Sequence, residues 1–248
     1  MFSGSSLVAE RLLQAARSLV LTRWSLDSGV HKPGGLGGSG RGTVMNGIKL
    51  ALLGSKGAGK SALLVRFLTK RFIGEYASSS NFLYHKRFSV DGRQLNLEVF
   101  DPCSQQSVGS RCFLEEPLEW ADAFIVVYDI IDRTSFLDSK SILQRIREAR
   151  VADCKGEVPV CLVANKQDLC HARQVCQEEG RLLALEYKCH FREVSAAEDH
   201  QEILSLFIEL IRHAMERLKF RADRRRYSGS KSMAQLINNV FCKRRKSV

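Results

Sequence analysis

Eight consecutive residues, Gly54-Ser55-Lys56-Gly57-Ala58-Gly59-Lys60-Ser61, constrain this chain more than any other feature. They stand between an apolar run, Ile48-Lys49-Leu50-Ala51-Leu52-Leu53, and a helical pattern that begins near Gly59. A Gly-rich loop ending in Lys-Ser, entered from a buried strand and left through a helix, cradles phosphates. Its backbone N–H groups turn inward, and the helix N-terminus adds the positive end of its dipole. Gly54, Ser55, Lys56, Gly57, Ala58, Gly59, Lys60, Ser61 and Ala62 are therefore expected to hold a polyphosphate. Lys60 would reach the outer phosphates, and the Ser61 hydroxyl would ligate Mg2+.

The rest of the central region continues the same alternation. Apolar runs at 95–100, 123–129, 158–164 and 190–194 read as strands. Amphipathic segments at 60–70, 134–149, 176–187 and 200–218 read as helices. Strand and helix in turn predict an α/β fold of the P-loop NTPase kind, a mostly parallel six-stranded sheet with helices on both faces. The Asp91-Gly92 pair between two strand-like runs signals one hairpin, and so one antiparallel edge strand. Ile203, Phe207, Leu210, Ile211, Ala214 and Leu218 form a stripe on the last helix that reads as core.

A second signature, Asn165-Lys166-Gln167-Asp168, follows the run Val160-Cys161-Leu162-Val163-Ala164. Ligands of open α/β sheets bind at such strand ends. A carboxylate at Asp168 accepts two hydrogen bonds from the N1 and N2 donors of guanine. Against adenine it would be left unpaired, which discriminates strongly. Ser195-Ala196-Ala197, after another strand, would bring a backbone N–H near the guanine carbonyl. The expected ligand is GTP or GDP, and the same four residues oppose an ATP-using kinase.

Charge divides the chain into three parts. Residues 217–248 carry eleven basic side chains against one acidic residue, Asp223, whereas residues 47–216 are close to neutral. Residues 1–46 read as an extension with a Gly-rich linker at 33–40, expected to be disordered. Its Arg-bearing start has the composition of a mitochondrial presequence, from which Glu10 and Asp27 depart. The expected domain is 47–218, followed by a basic tail, 219–248, with a short amphipathic helix. The 8 cysteines contain no CxxC pair, which reads as reduced intracellular thiols and neither a disulfide frame nor a zinc site.

These residues resemble the Ras-like small GTPases over roughly 47–218. FLTKRFIGEY at 67–76 and LNLEVFDPCSQ at 95–105 narrow the resemblance to a growth-restraining subgroup. The resemblance implies GTP/GDP binding with Mg2+, conformational switching, slow hydrolysis, and effector or exchange-factor partners for a monomeric protein. It assigns Gln105 to orienting the attacking water, so that Gln105 and Lys60 are the expected catalytic residues. It places Phe72 on the base, Asp101 in the Mg2+ shell, and Ser79 beside Ser61 as a metal ligand.

Three positions depart from the family pattern. Asp101-Pro102-Cys103-Ser104 stands where Asp-x-x-Gly is usual, and Ser104 restricts positive φ. Lys56 replaces a glycine beside which a partner's arginine finger has to fit. Ser79 aligns best with a family threonine and keeps a hydroxyl, Ser78 or Ser80 taking its place after a one-residue slip, and the acidic effector residues beyond are absent. Two functions therefore stand open, a slow GTPase switch and a guanine nucleotide-binding interaction module that hydrolyses little. In the tail, Met233, Leu236, Ile237, Val240 and Phe241 recur at helical spacing before Lys243-Arg244-Arg245-Lys246. Such a segment predicts weak contact with anionic membranes and a cytoplasmic protein with a nuclear share. Nucleic acid is not an expected partner, and Cys242 lies too far from the end for prenylation.

Overall fold

β1 (Ile48–Leu53) is the strand around which both cores are built. Successive side chains of a strand point to opposite faces. Here Ile48, Leu50 and Leu52 enter one apolar cluster, while Ala51 and Leu53 enter the other. A computed structural model describes residues 47–72, 82–102, 117–152 and 157–220. Among them six strands form one sheet, β2 (Phe82–Val90), β3 (Arg93–Asp101), β1, β4 (Ala123–Asp129), β5 (Val160–Asn165) and β6 (His190–Glu193), in that spatial order. β1 lies parallel to β3 and β4, β4 to β5 and β5 to β6, while β2 runs antiparallel along β3 at the edge.

The predicted hairpin is present. Val90 pairs with Arg93 across Asp91 (φ 51°) and Gly92 (φ 74°). Two left-handed residues in a two-residue loop match the right-handed twist of the flanking strands, and Gly adopts that conformation without steric cost.

On one face of the sheet lie α1 (Lys60–Thr69) and a helix over 200–220, here α4. Phe67 of α1 stacks on Phe207 of α4 with ring centroids 4.1 Å apart. The stripe expected to be core is core, with Ile203, Phe207, Leu210, Ile211 and Ala214 buried and Leu218 packed against them. On the other face lie α2 (Arg133–Ala152) and α3 (Gln177–Glu186), which contribute Phe136, Ile142, Leu143, Ile146 and Leu183. A helical turn at 117–120 leads into β4.

Two boundaries move for physical reasons. β5 begins at Val160 and not at 158, because Pro159 has no N–H to give the ladder; its carbonyl only accepts from Phe124 N at 3.0 Å. α2 begins one residue early because the Asp132 carboxylate accepts from Thr134 N at 2.9 Å and caps it. Among the described residues no helix is long and apolar enough to cross a membrane.

Candidate functional site

Five parallel strands bring their C-terminal ends to one edge of the sheet. From that edge emerge the phosphate loop after β1, Asp101 closing β3, the 165–168 motif closing β5, and Ser195 just past β6. This is the location that the topology of open α/β sheets reserves for ligands.

The phosphate loop runs into α1 through Gly59, which has φ 92°. A Cβ there would stand 2.1 Å from Asn165 Nδ2. Asn165 explains the close approach. Its Nδ2 donates to Ala58 O at 2.9 Å, and its Oδ1 accepts from Ala196 N at 3.2 Å. One buried amide thereby ties the phosphate loop to both base loops. Lys60 is only 3% exposed, and its ammonium donates to Gly54 O (2.9 Å) and Ser55 O (2.8 Å) of its own loop. Lys56 and Gly57 form the exposed arc of the loop, and a Cβ on Gly57 would meet nothing within 4 Å.

At the foot of α1, the Ser61 hydroxyl donates to Asp101 Oδ2 at 2.6 Å. Asp101 is 2% exposed, and its Oδ1 has no hydrogen-bond partner among the described residues. Burial pushes this carboxyl above the usual range; the Ser61 hydrogen bond and the nearby Lys60 charge pull it back. A buried carboxylate oxygen without a donor, next to a hydroxyl, is a hard-oxygen set that suits Mg2+. The residues present fit the expected metal.

The base loops are braced from behind. Lys166 adopts φ 66°, and its Nζ pairs with Asp129 Oδ2 at 2.5 Å. The other Asp129 oxygen accepts from Ile131 N at 3.0 Å. Asp168 opens the 3-10 turn Gln167–Ala172, and its Oδ1 accepts from Ser195 Oγ at 2.6 Å. Ser195 Oγ in turn accepts from Ala197 N at 3.1 Å. Ser195 thus acts through its side chain as well as its backbone. Of the 195–197 loop, from which one backbone N–H is expected near the base, the Ala196 N–H is bonded here to Asn165. Arg173 and Glu193 form a two-pronged ion pair that fastens the far end of the 3-10 turn to β6.

The structure therefore gathers Gly54–Ala62, Asp101, Asn165, Lys166, Asp168 and Ser195–Ala197 at one edge. Phe72, just past α1, is 43% exposed. Gln105 and Ser79 lie outside the described residues, as do Cys103, Ser104, the extension before residue 47 and the tail from 221. Sequence reasoning missed Asp129, Asp138, Arg173 and Glu193. These are supports reached across the fold, and no local pattern marks them.

A family model described as "Ras family" matches residues 49–216. The chain is 55% identical over 206 residues to the "Ras-related and estrogen-regulated growth inhibitor-like protein" of Bos taurus, spanning 82% of this chain and 100% of that protein. The protein of that name in Homo sapiens is 53% identical over 189 residues, 75% of this chain and 91% of its own length. The human "Ras-related and estrogen-regulated growth inhibitor" is 39% identical over 199 residues, 79% of this chain and 96% of that one.

Proposed function

Because this chain belongs to the Ras family of GTP-binding proteins, we propose that it is a slow GTPase switch that signals while GTP is bound. The observation that carries this reading is the Ser61–Asp101 pair with its unpartnered, buried oxygen, set beside Lys60. Mg2+ bound there would neutralise charge on the β- and γ-phosphate oxygens. Lys60 would exchange two loop carbonyls for phosphate oxygens. Asp168 and the loop at 195–197 would read guanine, held in register with the phosphate loop by Asn165. Gln105 would orient the attacking water, and Ser79 would join the metal shell. Growth restraint, the role printed in the relatives' names, is proposed for this chain by that likeness.

The test is single-turnover release of phosphate from γ-labelled GTP with Mg2+, run beside Gln105→Leu. Slow release that the variant loses supports the switch. Tight guanine nucleotide binding with no release from either protein would replace it with the second reading, a binding module recruited through its tail. Lys56 favours that second reading, since its side chain stands on the exposed arc of the loop. Whichever reading holds, Ras-type activating proteins should stimulate turnover little. Lys56→Gly should restore stimulation by roughly tenfold or more, because an arginine finger contributes orders of magnitude to rate. A large stimulation of the unaltered protein would end this account of Lys56.

A further inference from the structure

Ser55 is the second residue of the phosphate loop, and its side chain faces away from the exposed arc. It is buried, and its Oγ donates to Asp138 Oδ2 at 2.5 Å, across 83 residues of sequence. Asp138 stands on a rigid mount. α2 is locked to the end of β4 by Ser135, whose Oγ accepts from Asp129 N at 2.9 Å and donates to Asp132 O at 2.7 Å. Phe136, Ile142 and Leu143 of the same helix lie in the core. The main chain of Ser55 is held as well, since its carbonyl accepts from Lys60 Nζ at 2.8 Å and from Ala58 N at 3.4 Å. Immediately beyond Ser55 come Lys56 and Gly57, the exposed part of the loop, to which no side chain among the described residues is bonded. Ser55 is therefore the last fixed point before the free arc.

The geometry points to Asp138 as a positioning residue for the phosphate loop. Through Ser55 it sets the height at which the arc leaves the sheet, and so how the loop's N–H groups meet the outer phosphates. This rests on the reading of the site as one for guanine nucleotides. A charged acceptor in such a bond strengthens it, and losing one partner leaves the other unsatisfied. The effect should fall mainly on the phosphate end of the ligand, because the base loops carry ion pairs of their own, Lys166–Asp129 and Arg173–Glu193.

The experiment measures GDP release from the full chain, together with affinities for GDP and GMP by competition. It compares the unaltered protein with Ser55→Ala, Asp138→Ala, Asp138→Asn and the Ser55→Ala/Asp138→Ala pair. Each alanine variant should release GDP about tenfold faster, the scale of one charge-assisted hydrogen bond. The double variant should be no faster than either single one, because both remove the same link. GMP affinity should fall much less than GDP affinity, and Asp138→Asn, which keeps an acceptor oxygen but loses its charge, should recover part of the loss. Release unchanged in Ser55→Ala, additive losses, or equal losses for GDP and GMP would each overturn the proposal while leaving guanine nucleotide binding intact. If the unaltered protein retains no guanine nucleotide, the functional reading itself fails. Ser55→Ala removes a single oxygen, so the test survives even if Asp138→Ala does not fold.

Discussion

Asp101 is a buried carboxyl that costs the empty protein stability. Its carboxyl is pushed up by burial, so the folded state binds a proton more tightly than the unfolded chain does. For a raised carboxyl, stability falls as pH rises from the unfolded value through the folded one. In protein free of nucleotide and metal, Asp101→Asn should therefore be more stable than the unaltered chain at pH 7. The advantage should shrink as pH is lowered toward 4, which thermal melts across that range will read; a constant gap would contradict the assignment. The same variant should lose Mg2+-dependent retention of nucleotide. The residues of the candidate site that the sequence marks are those whose chemistry is written locally, Lys60 and Ser61 in the phosphate loop and Asp168 after β5. Asn165 was legible as a member of its motif but not as the strut between three loops. That role depends on Gly59 coming within reach of its amide, which only the folded sheet arranges.

Elements were legible wherever periodicity was clean. β1 and β4 are buried on both faces and read as continuous apolar runs, as central parallel strands do. The turn chemistry of Asp91-Gly92 marked the hairpin without ambiguity. The short turn at 117–120 was not legible, because part of what holds it is an arginine reaching in from another element. Arg150, on the last turns of α2, is 8% exposed and donates through Nη2 to Leu118 O (2.7 Å) and Ala121 O (2.9 Å). Its guanidinium also lies 5.4 Å from the centroid of Phe124. An arginine on an amphipathic helix ordinarily signals the solvent face, and nothing in the sequence marks this one as inward. Arg150→Leu would keep apolar volume but strand two carbonyls, at a cost of about 2–4 kcal/mol. Hydrogen exchange should report it locally, with amides at 118–122 losing protection well before those of β1. Uniform loss across the sheet would mean that Arg150 supports the whole core and not this one connection. In the core of the opposite face, Phe207→Ala should remove the stack with Phe67 and lower stability by about 3–5 kcal/mol, read in a denaturant titration.

For the whole molecule, charge is segregated more sharply than composition suggests. The chain carries +11, yet residues 217–248 alone carry +10 and residues 47–216 are slightly negative. A near-neutral domain and a polycationic tail respond to different variables, the first to nucleotide and the second to ionic strength. Each basic residue near an anionic bilayer adds roughly 1 kcal/mol of attraction at most, screened within about 10 Å at 0.1 M salt. The tail should therefore give reversible, salt-steep association with vesicles rich in phosphatidylserine, and none with neutral ones. Cosedimentation of the full chain beside a chain ending at residue 220 will measure it. Half of the full-length protein leaving the pellet between 0.1 and 0.3 M salt, with the shorter chain never entering it, is the expected result. GDP release should meanwhile be equal for the two, because the residues gathered at the candidate site come from 54–62, 101, 165–168 and 195–197, and the basic tail is read from the sequence as a separate charged segment. Faster release from the shorter chain would show that the tail bears on the nucleotide loops as well as on surfaces, and the two halves of the molecule would then have to be treated as one device.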